Sequence, residues 1–122
     1  MKVLLSIKPE FAERIFDGSK KYEFRRSIFK NPNITTVVVY ASSPVQRVIG
    51  EFEIETVLRD TPQALWKKTK KQSGITEEFF FAYFSEREEG FAIKVKKPRR
   101  FRKSRCLRSS YDLSPPQSFC YV

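Results

Sequence analysis

Strand-like patterning dominates this chain, and it is interrupted by helical patterning in an order that excludes a repeated strand–helix–strand alternation. Residues 2–8 (KVLLSIK) read as a short buried strand. Pro9 suits a first helical position, Phe11, Ala12, Ile15 and Phe16 recur at helical spacing, and Gly18 can take the left-handed conformation that stops a helix. Alternation returns over residues 20–26 (KKYEFRR). After a turn at Lys30–Asn33, the segment TTVVVYA (35–41) is the clearest strand, rich in β-branched residues. Ser42, Ser43 and Pro44 break it. Residues 47–58 alternate again, with Phe52 and Ile54 inward and Glu51, Glu53 and Glu55 outward. Thr61 and Pro62 open a helix to about Lys71 that Gly74 ends, and Thr76 caps a second helix carrying Phe79, Phe80, Tyr83 and Phe84. Phe91, Ile93 and Val95 alternate into a basic segment, and PPQSFCYV forms a short extended tail. The order β-α-β-β-β-α-α-β-β predicts an α+β fold, a mixed or closed sheet with helices at its sides.

At 122 residues the chain fits one domain, taken here as 1–122, with a single modest core in which twelve Phe give a large aromatic share. No apolar stretch approaches the roughly 20 residues of a membrane helix. The opening MKVLLSIKPEF has too short an apolar run for a secretory signal, so a cytoplasmic address is expected. Cys106 and Cys120 make no disulfide framework in that setting. The chain has no histidine, and its two cysteines form no C-x-x-C pair, so no metal site is expected. Acid–base chemistry would run on Lys, Glu, Asp, Tyr or Cys. The four glycines form no phosphate loop, and no cofactor is expected.

The net charge of +10 is concentrated. Residues 94–108 carry Lys94, Lys96, Lys97, Arg99, Arg100, Arg102, Lys103, Arg105 and Arg108 and no acid, while the rest of the chain is close to neutral. Such a patch commonly neutralises phosphates with release of counterions. The alternative is a solvated basic strand that serves solubility.

The most informative segment is Gly18–Arg25 (GSKKYEFR). A helix ends at glycine, a tight loop presents Lys20, and the next strand sets Glu23 and Arg25 on one face with Tyr22 and Phe24 on the other. A cation, a carboxylate and a guanidinium at the lip of a sheet can bind an anion, read a base edge or transfer a proton. Gly18, Lys20, Glu23 and Arg25 resemble the G-x-K-x-x-E-x-R signature of the ASCH domain. SIKPEFAERIF (6–16), YASSP (40–44), VIGEFEI (48–54) and the closing PPQSFCYV are similar to further parts of that family. The resemblance implies a PUA-like mixed β-barrel of five to seven strands with flanking helices, and a cleft for RNA or a nucleotide-like ligand. It also implies roles in regulating transcription or translation. Some relatives are amidohydrolases on modified cytidine nucleosides that use a lysine and a threonine of this loop. Lys20 matches the lysine, but Glu23 stands where the threonine would be. Other relatives cleave RNA.

The candidate ligand-binding residues are Lys8, Lys20, Tyr22, Glu23, Arg25, Arg26, Ser42, Ser43, Gln117 and Ser118, with Lys96, Lys97, Arg99, Arg100, Arg102, Lys103 and Arg105 as a backbone-tracking patch. The leading expectation is an RNA-binding module. The second is a small hydrolase on nucleosides or RNA, with Lys20 partnered by Glu23 or by a strand carboxylate such as Glu53. The third is a protein adaptor using the Phe79–Phe84 face.

Overall fold

The computed structural model describes residues 1–116 and 118–122; Gln117, a candidate above, lies outside them. The elements run β1 (Lys2–Ile7), α1 (Pro9–Asp17), β2 (Tyr22–Arg25), β3 (Thr36–Ala41), β4 (Arg47–Asp60), α2 (Pro62–Thr69) with a 3-10 turn Lys70–Gln72, α3 (Glu77–Tyr83), β5 (Gly90–Arg105), α4 (Leu107–Tyr111) and β6 (Phe119–Tyr121). One six-stranded sheet has the order β2-β5-β4-β3-β1-β6. It is mixed: β1 runs parallel to β3, and every other neighbouring pair is antiparallel.

Strand alternation explains why β1 and β3 are apolar on both faces. Val3, Leu5, Ile7, Val37 and Val39 face the main core, where Ala12 and Ile15 of α1 plug the concave side. Leu4, Val38 and Tyr40 point the other way, against Phe101 and Leu107. A third cluster packs Tyr22, Phe24 and Ala92 against Leu65 of α2, Phe80 of α3 and Phe84, which follows α3. Both helices begin as expected, with the Thr61 hydroxyl accepting from the Ala64 N–H at 3.2 Å and the Thr76 hydroxyl from the Phe79 N–H at 3.1 Å.

Two features were not foreseen. The basic segment is the second half of one 16-residue strand, and Leu107–Tyr111 is a short helix whose Leu107 and Tyr111 cover the outer face. The long β4–β5 ladder shifts register between Val48 and Gly50, Glu51 and Glu53, and Ile54 and Thr56. Bulges of this kind bend and twist a strand pair. They curl the sheet until its two ends nearly meet.

Arg25 crosses the remaining gap. From the edge strand β2, its Nη1 donates to the Ser6 carbonyl of β1 at 3.2 Å and to Glu23 Oε2 at 3.3 Å. Its Nη2 donates to the carbonyl and the hydroxyl of Ser118, just before β6, at 3.0 and 2.8 Å. One guanidinium thus laces the open edges of a half-barrel. Replacing Arg25 by Met leaves the Glu23 carboxylate buried without its partner and removes one donor each from the half-buried carbonyls of Ser6 and Ser118. Arg25→Met is expected to lower the unfolding free energy by about 3–5 kcal/mol in urea denaturation at pH 7. A loss below about 1 kcal/mol would show that the seam is held by something else.

Candidate functional site

The loop between α1 and β2 is fixed by chain that lies 50 residues away. Gly18 takes φ 88° and stops α1, the Lys20 N–H returns to the Arg14 carbonyl at 2.9 Å, and the Lys21 N–H reaches the Gln72 carbonyl at 2.9 Å. Arg14 Nη1 in turn donates to the Gly74 carbonyl at 2.8 Å. Gly74 lies flat on Lys20. A Cβ there would stand 2.4 Å from the Cβ of Lys20 and 2.9 Å from its Cα, at a φ of +68° that other residues rarely adopt. Only glycine lets the two segments approach this closely.

Lys20 therefore does not wave in solvent: only 1% of it is exposed. Its Nζ donates to the Ser73 carbonyl at 2.8 Å and lies 4.8 Å from the Phe24 ring centre and 5.4 Å from that of Phe11. Burial draws its pKa down from 10.5 to about 8, Glu23 opposes that shift, and Arg14 adds to it.

Lys20 and Phe24 form the inner end of a cleft of about 420 Å³. Phe11 and Phe79, edge to face at 5.0 Å, make one wall, with Lys8 5.0 Å over the Phe79 ring. Arg26, 4.5 Å over the Tyr83 ring, and Arg87 stand at the lip. Ser6, Glu23, Arg25 and Ser118 close the far end.

Of the residues singled out from sequence, Lys8, Lys20, Glu23, Arg25, Arg26 and Ser118 are brought together here. Tyr22 is not. It lies in the cluster under α2 and α3, beside Phe24, which belongs to that cluster and also reaches the cleft. Ser42 and Ser43 do not line the cleft; the Ser42 N–H extends the ladder to the Ile7 carbonyl at 3.0 Å. Glu53 is exposed on β4 and also stays outside, so it is no partner for Lys20. Arg25 is less free than a phosphate-binding fork, because four hydrogen bonds already occupy its two terminal nitrogens. None of the basic residues of 94–108 reaches the cleft. Arg99 pairs with Glu51 at 2.8 Å, Arg100 with Glu13 at 2.6 Å and Lys94 with Glu55 at 2.9 Å. Lys96 and Lys97 are exposed, and Arg102, Lys103 and Arg105 line a separate concavity.

Sequence reading missed Phe11, Phe79, Tyr83 and Arg87 as cleft residues. The run 79–84 divides by helical geometry: Phe80 and Phe84 enter the core, while Phe79 and Tyr83, four residues apart, turn to the cleft.

Residues 5–101 match the ASCH domain. The chain belongs to the ASCH domain family. A solved structure of ASCH from Zymomonas mobilis is 27% identical and superposes with a TM-score of 0.90 over 99% of this chain and 87% of that one. The fold is accordingly the PUA-like α+β half-barrel of that family. A Zymomonas mobilis subsp. mobilis protein named ASCH domain-containing ribonuclease is 27% identical over 126 residues, covering 99% of this chain and 84% of the relative. A Ureaplasma parvum serovar 3 protein named large ribosomal subunit protein uL22 is 29% identical over 121 residues, and there the ASCH chain spans only 39% of the relative's length. Among the described residues no group of three or more His, Cys, Asp or Glu stands close enough to hold a metal ion, and no helix is long and apolar enough to cross a membrane.

The depressed Lys20 pKa has a measurable consequence for stability. The folded protein holds this proton more weakly than the unfolded chain does. The penalty is complete below about pH 8, where both states are protonated, and is relieved as pH rises from about 8 to 10.5. Relative to Lys20→Met, whose other groups titrate alike, the wild type is expected to gain roughly 3 kcal/mol of unfolding free energy across that window. A pH-independent difference between the two proteins would mean that Lys20 titrates normally.

Proposed function

We propose that this ASCH domain binds single-stranded RNA in the cleft and cleaves it there. The observation that carries the reading is a nearly buried lysine, with its pKa drawn to about 8, in the same cleft as a serine hydroxyl held by Arg25. A base poised close to the working pH is what proton abstraction in phosphodiester transesterification requires.

The surroundings suit the substrate. Five basic side chains, Lys8, Lys20, Arg25, Arg26 and Arg87, meet one carboxylate, Glu23, so the cleft attracts phosphate. Phe11, Phe79 and Tyr83 offer ring surface to an unstacked base, the usual mode of single-strand RNA recognition. A volume of about 420 Å³ lies within the range of small-ligand sites. The resemblance along nearly the whole chain to a relative named ribonuclease points the same way.

In this reading the Lys20 amine takes the proton of a ribose 2′-hydroxyl as that oxygen attacks the adjacent phosphorus. The 5′-oxygen of the next nucleotide leaves as its bond to phosphorus breaks and takes a proton from water. This gives a 2′,3′-cyclic phosphate and a free 5′-hydroxyl, while the Lys20 ammonium returns its proton to solvent. Ser118 Oγ accepts from Arg25 and keeps its own proton to donate to the phosphate oxygens. Glu23 is bonded to Arg25 and serves to orient it. Position 23 carries no hydroxyl, which separates this site from relatives that rely on threonine there.

Lys20→Arg keeps the positive charge but cannot act as a base near neutral pH. It is expected to lower kcat on a single-stranded RNA by at least about 100-fold while KM changes less than about threefold. The wild-type kcat/KM should rise with pH and level off above about 8. Undiminished turnover in Lys20→Arg would remove the lysine from the chemistry. Tight, salt-dependent RNA binding with no turnover in the wild type would leave a binding module.

A further inference from the structure

One rim of the sheet connects the cleft to a second basic concavity. Ser6, which lines the cleft, pairs with Tyr40 of β3, Tyr40 with Val48 of β4, and Val48 with Arg105 of β5. Three inter-strand spacings of roughly 4.8 Å place Arg105 about 14 Å from Ser6 along the sheet. The β3–β4 turn, residues 42–46, occupies the rim between them, and Ser42 is hydrogen-bonded to Ile7 at the edge of the cleft.

The second concavity is lined by Arg47, Arg99, Arg102, Lys103 and Arg105 around Phe101. Three of its guanidinium groups, those of Arg47, Arg99 and Arg105, are held in place. Arg47 donates to the hydroxyl and the carbonyl of Ser104 at 3.0 and 2.9 Å. Arg105 lies 3.8 Å over the Phe101 ring and donates to the Tyr111 hydroxyl at 3.1 Å, and Arg99 stands 5.2 Å from the same ring. Among the described residues, Arg47, Arg102, Lys103 and Arg105 have no carboxylate within ion-pair distance. Arg105, stacked on the ring and bonded through one terminal nitrogen, has its remaining N–H groups left for phosphate, and cations without a carboxylate partner gathered in a hollow favour a polyanion.

We propose that one RNA strand engages both places: a nucleotide sits in the cleft, and phosphates of the same strand, after crossing the 42–46 turn, sit among Arg47, Arg102, Lys103 and Arg105. This rests on the RNA reading of the cleft. At the roughly 3.4 Å per nucleotide of a stacked strand, the 14 Å path takes four or five nucleotides. The second concavity thereby gives the protein a preference for length: a trinucleotide reaches the cleft alone, and a longer strand reaches both.

The test compares a trinucleotide with a 12-nucleotide single-stranded RNA, both with 2′-fluoro sugars that cannot attack the phosphate, on three proteins: wild type, Arg102→Ala/Lys103→Ala and Lys20→Met. Arg102 and Lys103 are exposed and make no side-chain hydrogen bond among the described residues, so the double variant keeps its fold. Expected is a loss of at least tenfold in affinity for the 12-mer, with the trinucleotide unchanged. The slope of log K against log salt for the 12-mer should fall by about 1.4, the share of two phosphate contacts on a single strand. Lys20→Met should weaken both RNAs. If the double variant binds both RNAs like wild type while Lys20→Met does not, the second site is refuted and the cleft stands. If the double variant loses the 12-mer while Lys20→Met leaves both RNAs unaffected, the concavity acts alone, and the shared-strand proposal falls together with the cleft reading.

Discussion

A single guanidinium holds this half-barrel shut. Arg25 projects from an edge strand, and its four hydrogen bonds reach Ser6 in β1, Ser118 before β6 and Glu23 on its own strand. The sheet's curvature brings these partners within reach, and the bulged β4–β5 ladder supplies that curvature. The same bonds shape the end of the cleft, because Ser6, Glu23, Arg25 and Ser118 all line it. Closure of the fold and construction of the site are one event. A change at the seam reaches the cleft without passing through any intermediate element.

The second constraint is the burial of Lys20, which the fold would not choose for stability. An ammonium sealed against Phe11 and Phe24 costs free energy at neutral pH, and the Ser73 carbonyl and the nearby Glu23 offset only part of it. Much local structure is committed to keeping it there: the left-handed stop at Gly18, the bare Gly74 backbone, and the Arg14 bond to the Gly74 carbonyl. Buried ionisable groups with displaced pKa values, held in clefts by such scaffolding, are a recurrent mark of functional sites.

Local sequence patterns carried a good part of this structure. Alternation in KKYEFRR placed Glu23 and Arg25 on the face opposite Tyr22 and Phe24, and the helix stop at Gly18 placed Lys20 in the loop between. Alternation did not separate Tyr22 from Phe24, which share a face: Tyr22 lies in the core cluster beneath α2 and α3, while Phe24 joins that cluster and also lines the cleft. The depth of Lys20 was not legible, because the 72–75 segment that covers it is distant in the chain and acts through backbone carbonyls and a missing Cβ. The partners of Arg25 were hidden for a related reason. Three of its four acceptors lie at Ser6 and Ser118, and two of those are main-chain carbonyls, which any residue supplies. Charge counting located the basic segment but not its pairing: Lys94, Arg99 and Arg100 meet carboxylates from other elements, leaving a smaller unpaired group around Arg102 and Lys103.

The most direct measurement is a crystal structure with an RNA trinucleotide that carries a 2′-deoxy sugar at the cleavage position, so that no attack can occur. The nucleotide should occupy the cleft with its base against Phe79 or Tyr83, and the phosphate that follows the deoxy sugar should lie about 3 Å from Ser118 Oγ. Lys20 Nζ should face the position of the missing 2′-oxygen. A ligand seated only along the basic end of β5, with the Lys20 cleft filled by solvent, would contradict the account.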